Sequence, residues 1–148
     1  MSSDKIGIPR LLILAPLLAI CASGCGDNRA EVFPVQGKVT FPDGKPVRLG
    51  TVELLSIDHQ INAAGTIRND GTFVLGTYSD SDGACAGKHK VIVTQLIIAD
   101  RRIRHQVDHG SPVDPSFGSY SHTPLTVEIQ PQELNEIELV VERLKSGP

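Results

Sequence analysis

The sequence predicts an all-β protein, an antiparallel β-sandwich of about seven strands preceded by a cleaved signal peptide. Three observations predict it. Apolar and polar residues alternate in short runs, Gly, Pro and Asp turn signals separate those runs, and no helical apolar period is sustained beyond residue 24.

The first element is an address. A polar start carrying Lys5 and Arg10 leads into an apolar run from Leu11 to Ile20 and then into small residues, the order of a secretory signal. The run is far shorter than the ~20 residues that a membrane-crossing helix needs, and Pro16 interrupts it. Ala22-Ser23-Gly24 leads directly into Cys25, with Gly26-Asp27-Asn28-Arg29 following. This resembles a bacterial lipobox, although Ala22 stands where such boxes most often have Leu. The resemblance implies removal of residues 1–24, diacylation of the Cys25 sulfur and frequent acylation of the new amino terminus. One acyl chain holds a protein marginally at a bilayer, whereas two or three hold it firmly. The alternative is a plain secreted protein in which Cys25 is incidental. Gly26 stands where the enterobacterial retention signal has Asp, which points to the outer membrane over the inner if similar sorting applies.

Residues 25–33 are short, polar and without period, and they read as a tether; residues 34–148 read as the domain. In "VQGKVTF", Val35, Gly37, Val39 and Phe41 fall on one face, and "PDGK" at 42–45 supplies a turn. A second strand over 51–57 slips phase between Leu54 and Leu55, which predicts a bulge or strand end there. The segment "AAGTIRNDGTFVLGTY" reads as a hairpin, with Ile67 before Asn69-Asp70-Gly71 and Phe73 and Leu75 after it. "KHKVIVTQLII" is the most β-branched run and predicts a central strand. Leu125, Val127 and Ile129, then Ile137, Leu139 and Val141, alternate with polar residues in the last two strands. Residues 99–122 are polar, contain two Pro, and are too long for a simple connection, so they read as a functional or disordered loop.

Composition narrows function. Removing Lys5, Arg10 and Asp4 with the signal from 14 basic and 17 acidic residues leaves a formal charge of −4, which gives no electrostatic argument for nucleic acid. Trp is absent and only four Phe and two Tyr occur, so a broad aromatic sugar-stacking platform is not expected. Cys21 leaves with the signal and Cys25 is lipidated, so Cys85 stands alone and is read as a buried small apolar residue. Thiol catalysis and an intermolecular disulfide remain its alternatives.

The stretches "PVQGKVTFPDGKPV", "GTIRNDGTFVLGTY", "DGACAGKHKVIVT", "TPLTVEI" and "NEIELVV" together resemble the small lipoproteins abundant in planctomycete genomes, whose body is a carboxypeptidase-regulatory-like, transthyretin-like domain. The likeness covers about residues 34–142, and at the position of His89 such relatives usually carry an aromatic. It implies a non-catalytic structural or binding module on a cell envelope; an envelope protein or polysaccharide is the partner expected beside the membrane itself. Some transthyretin-like proteins are hydrolases with a C-terminal Tyr-Arg-Gly-Ser signature, a tetrad that this sequence lacks.

Candidate chemistry is sparse. His105 and His109 are four apart around Asp108, with His122 further on; on a helix the first two would share a face and reach a metal, the basis of an alternative reading as a metal-assisted hydrolase. Gly110 and Pro112 break that segment, and solvated loop histidines are the competing reading. Asp80 and Asp82 resemble the start of a calcium loop without its closing Glu, and with Asp43 and Asp70 they read as turn residues. Arg101, Arg102 and Arg104 form the main basic concentration, able to meet anionic headgroups or acidic polysaccharide, or to be a solvated face. No Ser-His-Asp constellation or phosphate loop is supported by spacing, so no catalytic residue and no cofactor is expected.

Overall fold

A computed structural model describes residues 29–95 and 110–145. Nine strands follow in order: β1 Val32–Phe33, β2 Val35–Thr40, β3 Gly50–Ser56, β4 Asn62–Ile67, β5 Thr72–Val74, β6 Ala84–Cys85, β7 Gly87–Thr94, β8 Thr126–Ile129 and β9 Asn135–Val140. Among the described residues the one helical element is a 3-10 turn at Pro115–Gly118. The fold is all β, as the alternation predicts.

Three sheets form: a pair β1-β6, a triplet β5-β2-β9 and a quartet β4-β3-β7-β8. The most β-branched run is an interior strand, with β7 between β3 and β8. Most pairs are antiparallel, but β2 and β9 run parallel, Val35 opposite Asn135 through Thr40 opposite Val140. A parallel pair needs a long return path, and here most of the chain lies between the two strands.

The inner faces supply one core. Val35, Val39, Phe73 and Leu139 from the triplet belong to the same cluster as Val52, Leu54, Ile67, Val91, Val93 and Ile129 from the quartet. Fully burying such a side chain contributes roughly 1.5–3 kcal/mol each. Gly37 sits on the inner face of β2 because its neighbours fill the space: a Cβ there would lie 2.3 Å from the Ile137 carbonyl oxygen and 2.6 Å from the Phe73 ring.

Three sequence expectations need correction in detail. The phase slip at Leu54–Leu55 produces neither bulge nor strand end, since β3 keeps unbroken register with β4 and β7 from Thr51 to Leu55. The inward positions are Val52, Leu54 and Ser56, and the buried Ser56 hydroxyl accepts from the His59 backbone N–H at 3.1 Å. A satisfied hydroxyl is tolerated in the core where a bare one is not, and Leu55 simply points outward. Second, the arms around Asn69-Asp70-Gly71 join different sheets, β4 the quartet and β5 the triplet, although the hairpin still closes at the antiparallel Ala64–Gly76 bridge. The turn itself is as expected, since Gly71 has φ 84 and the Arg68 N–H donates to the Thr72 carbonyl at 2.8 Å. Third, residues 29–33 do not form part of a free tether: β1 pairs Val32 with Cys85 and Phe33 with Ala84.

The described end of the long loop is packed. Phe117 is buried, and the Asp114 carboxylate caps the 3-10 turn by accepting from the Ser116 backbone N–H at 2.9 Å.

Candidate functional site

The acidic residues singled out in the sequence do structural work. Asp43 accepts from the Lys45 N–H at 3.3 Å, and both its oxygens accept from Arg143 at 2.8 and 2.9 Å. Asp70 accepts from the Thr72 N–H at 3.0 Å and its hydroxyl at 2.7 Å. These donors hold both carboxyls below the usual carboxylate range, Arg143 acting on Asp43 and Thr72 on Asp70. Asp82 closes the loop 77–82 by accepting from the backbone N–H groups of Thr77 at 2.7 Å, Tyr78 at 3.0 Å and Ser79 at 3.0 Å. The Asp80-Asp82 pair is therefore a turn device in the case of Asp82, and no comparable bond involves the Asp80 side chain among the described residues.

Cys85 and His89 make the one nucleophile–base pairing in the described core. The strand β7 turns His89 inward beside Ser56, and its Nε2 lies 3.5 Å from the Cys85 Sγ. Its Nδ1 lies 3.0 Å from the Gly87 carbonyl oxygen. A carbonyl only accepts, so Nδ1 carries the proton, Nε2 of the neutral ring accepts, and the Cys85 thiol donates. Burial lowers the His89 pKa from 6.5, against the opposing pull of the Gly87 bond, so the ring is held neutral. Both side chains are shut off from solvent, Cys85 at 2 % and His89 at 0 % exposure, so a substrate has no path to them in this conformation. Sequence reasoning placed Cys85 inside the fold but missed His89 as its partner; the four-residue spacing across a Gly was the available signal.

Tyr120 was also missed. Its hydroxyl is enclosed and hydrogen-bonds to no described residue, and burial, with the Glu53 charge added, pushes its pKa up to about 12. It stays a neutral phenol across the physiological range.

Of the three histidines of the metal alternative, only His122 lies among the described residues. His122 is exposed, with Nδ1 3.4 Å from the Ser119 Oγ, and His105 and His109 lie outside the described residues. No group of three His, Cys, Asp or Glu side chains able to hold a metal occurs among the described residues. Arg101, Arg102, Arg104 and Cys25 also lie outside them. The two described ends of the arginine-bearing segment meet at Arg48: the Gln95 side chain donates to the Arg48 carbonyl at 2.9 Å, and Gly110 faces the Arg48 side chain.

A concavity among the described residues follows the β4 edge. A groove of about 800 Å³ lies between β4 and the loop 76–81, lined by Thr51, Thr66, Arg68, Tyr78, Ser79 and Asp80 among others. The loop is set by paired bonds between Ala64 and Gly76, both 2.9 Å, and by the Asp82 closure. The N-terminal segment braces its outer side: the Ala30 N–H donates to the Tyr78 hydroxyl at 3.0 Å, and the Arg29 guanidinium lies 5.2 Å from the Tyr78 ring centre. This wall offers hydroxyls, one cation, one carboxylate and an aromatic edge, a chemistry suited to hydrogen-bonding a polar ligand.

No protein-family model matches the chain, and no curated protein or solved structure is significantly similar to it.

Proposed function

We propose that this protein is a lipid-anchored component of the cell envelope, acting as a non-catalytic interaction module whose contact surface is the groove along β4. The observation that carries this reading is the groove's lining. It is open and rich in hydroxyls, while the buried thiol–imidazole pair and the turn carboxylates are committed to bonds inside the fold. Loops held on a rigid sheet are the usual place for recognition. The lipobox-like sequence at Cys25 supplies the anchor, and the resemblance to carboxypeptidase-regulatory-like, transthyretin-like domains of small lipoproteins fits the same role. The partner class is an envelope protein or polysaccharide.

Photo-crosslinking residues at Thr66 and Ser79, in the full chain expressed in its native envelope, test the reading. Capture of one discrete envelope component from both positions, and not from Lys45 on the 42–45 turn, supports it. Equal capture from all three positions, or none, rejects the groove as the contact surface. Replacing Cys25→Ser tests the anchor separately: the protein should leave the membrane fraction and lose fatty-acid labelling.

A further inference from the structure

We infer that the end of the sandwich where the chain enters the domain is a bilayer-seating surface, with Ile57, Tyr78 and Leu134 resting in the interface of a membrane poor in anionic lipid. This rests on acylation at Cys25.

Chain length ties the anchor closely to the domain. From Arg29 onward the chain is held to the domain, by the Arg29 and Ala30 contacts with Tyr78, by the β1-β6 pair, and by the Pro34 carbonyl accepting from the Asn135 N–H at 2.8 Å. Only residues 26–28 separate Arg29 from Cys25, a reach of at most ~14 Å even when fully extended. Acyl chains on Cys25 therefore keep this end of the domain at the bilayer surface.

That end presents exposed apolar and amphipathic side chains. Strand directions and register bring the end of β3, the start of β7, the end of β8 and the starts of β9 and β2 together there. The Ile57 N–H donates to the Lys88 carbonyl, Gly87 pairs with Ile129, the Gln130 N–H donates to the Asn135 side chain, and Asn135 meets Pro34. Ile57 follows β3 and Leu134 precedes β9, so both flank this row, and they are 47 % and 44 % exposed. Tyr78, braced by the same N-terminal segment, is 39 % exposed, an amphipathic ring of the kind favoured at membrane interfaces. Val140, at the end of β9, and Leu144 lie toward the opposite end.

Charge selects the lipid. Glu31, Asp58, Glu133 and Glu136 surround this end against Arg29 and Lys88, so an anionic surface would repel it while a zwitterionic one would not. Seating this end leaves the 42–45 turn and the Arg48 end of the arginine-bearing segment facing away from the membrane.

Hydrogen exchange on the acylated full chain in phosphatidylcholine vesicles, against the soluble Cys25→Ser form, tests the inference. Slower exchange at residues 57–61 and 130–134 of the anchored form, with 42–45 unchanged, is expected. Adding phosphatidylglycerol should reduce that protection, and the pair Ile57→Glu with Leu134→Glu should abolish it while the protein still floats with the vesicles. Flotation without any protection at 57–61 and 130–134 overturns the seating while leaving the anchor intact. Protection that rises with phosphatidylglycerol overturns the charge argument, and failure of the acylated chain to float overturns the anchor itself.

Discussion

Arg143 grips Asp43 through both carboxylate oxygens while its guanidinium lies 4.1 Å from the Phe41 ring centre, so one side chain ties the segment after β9 to the turn after β2. The pair is solvent-accessible, and Arg143 holds the Asp43 pKa below 3.8, which fixes the sign of its pH dependence. A carboxyl with a depressed folded pKa contributes stability above the unfolded value and loses it as pH falls through the folded one. Asp43→Asn should therefore melt below wild type at pH 7, and the gap should close as pH falls below 3.8. Thermal melts across that window check it; an equal gap at pH 7 and at the acid end would show that the ion pair is not the cause.

His89 gives a lever of the same sign closer to neutrality. Its folded pKa lies below 6.5, so the unfolded chain binds the extra proton first. Stability contributed by the neutral ring is complete above 6.5 and declines as pH falls from there toward the folded value. His89→Phe keeps an aromatic in the space and should flatten that part of the stability curve. His89→Ala leaves a void beside Ser56 and Cys85 and should cost about 2–4 kcal/mol in urea unfolding. A Phe variant with the wild-type slope would remove His89 as its source.

Asn135 closes the junction between β8 and β9. Its Oδ1 accepts from the Gln130 N–H at 2.9 Å, and its Nδ2 donates to the Gln130 carbonyl at 3.0 Å, at 4 % exposure. Asn135→Ala strands both backbone groups and should destabilise by about 1–3 kcal/mol. Asn135→Asp, which can still accept from the Gln130 N–H but not donate, should fall between Ala and wild type in the same measurement.

Gly37 has no room for a side chain, because the nearest obstacle is the Ile137 backbone itself. Gly37→Val should part β2 from β9 and cost about 3 kcal/mol or prevent folding. Gly44→Val meets nothing within 4 Å but must hold φ 79, so it isolates backbone strain from crowding. Comparable losses at both positions would refute the crowding argument for Gly37.

Much of the fold was legible because period-two alternation reports burial directly: Val35 and Val39 in β2, and Leu139 and Val141 around the end of β9, face inward as the spacing implied. Ser56 was illegible because its acceptability depends on the His59 N–H, a partner that only the loop after β3 brings into place. The turn roles of Asp43, Asp70 and Asp82 were read correctly from the Gly that follows Asp43, Asp70 and Asp82, although the Arg143 partner of Asp43 lies 100 residues away.

Taken by itself, the order of residues determined the strand class, the turns and the identity of most inward faces, because these follow from steric and hydrophobic preferences a few residues wide. Which strands became neighbours was decided only in three dimensions. The parallel match of β2 with β9, the meeting of Cys85 with His89 and the groove walled by the loop 76–81 all depend on how two sheets close over one core, and no local pattern encodes that closure.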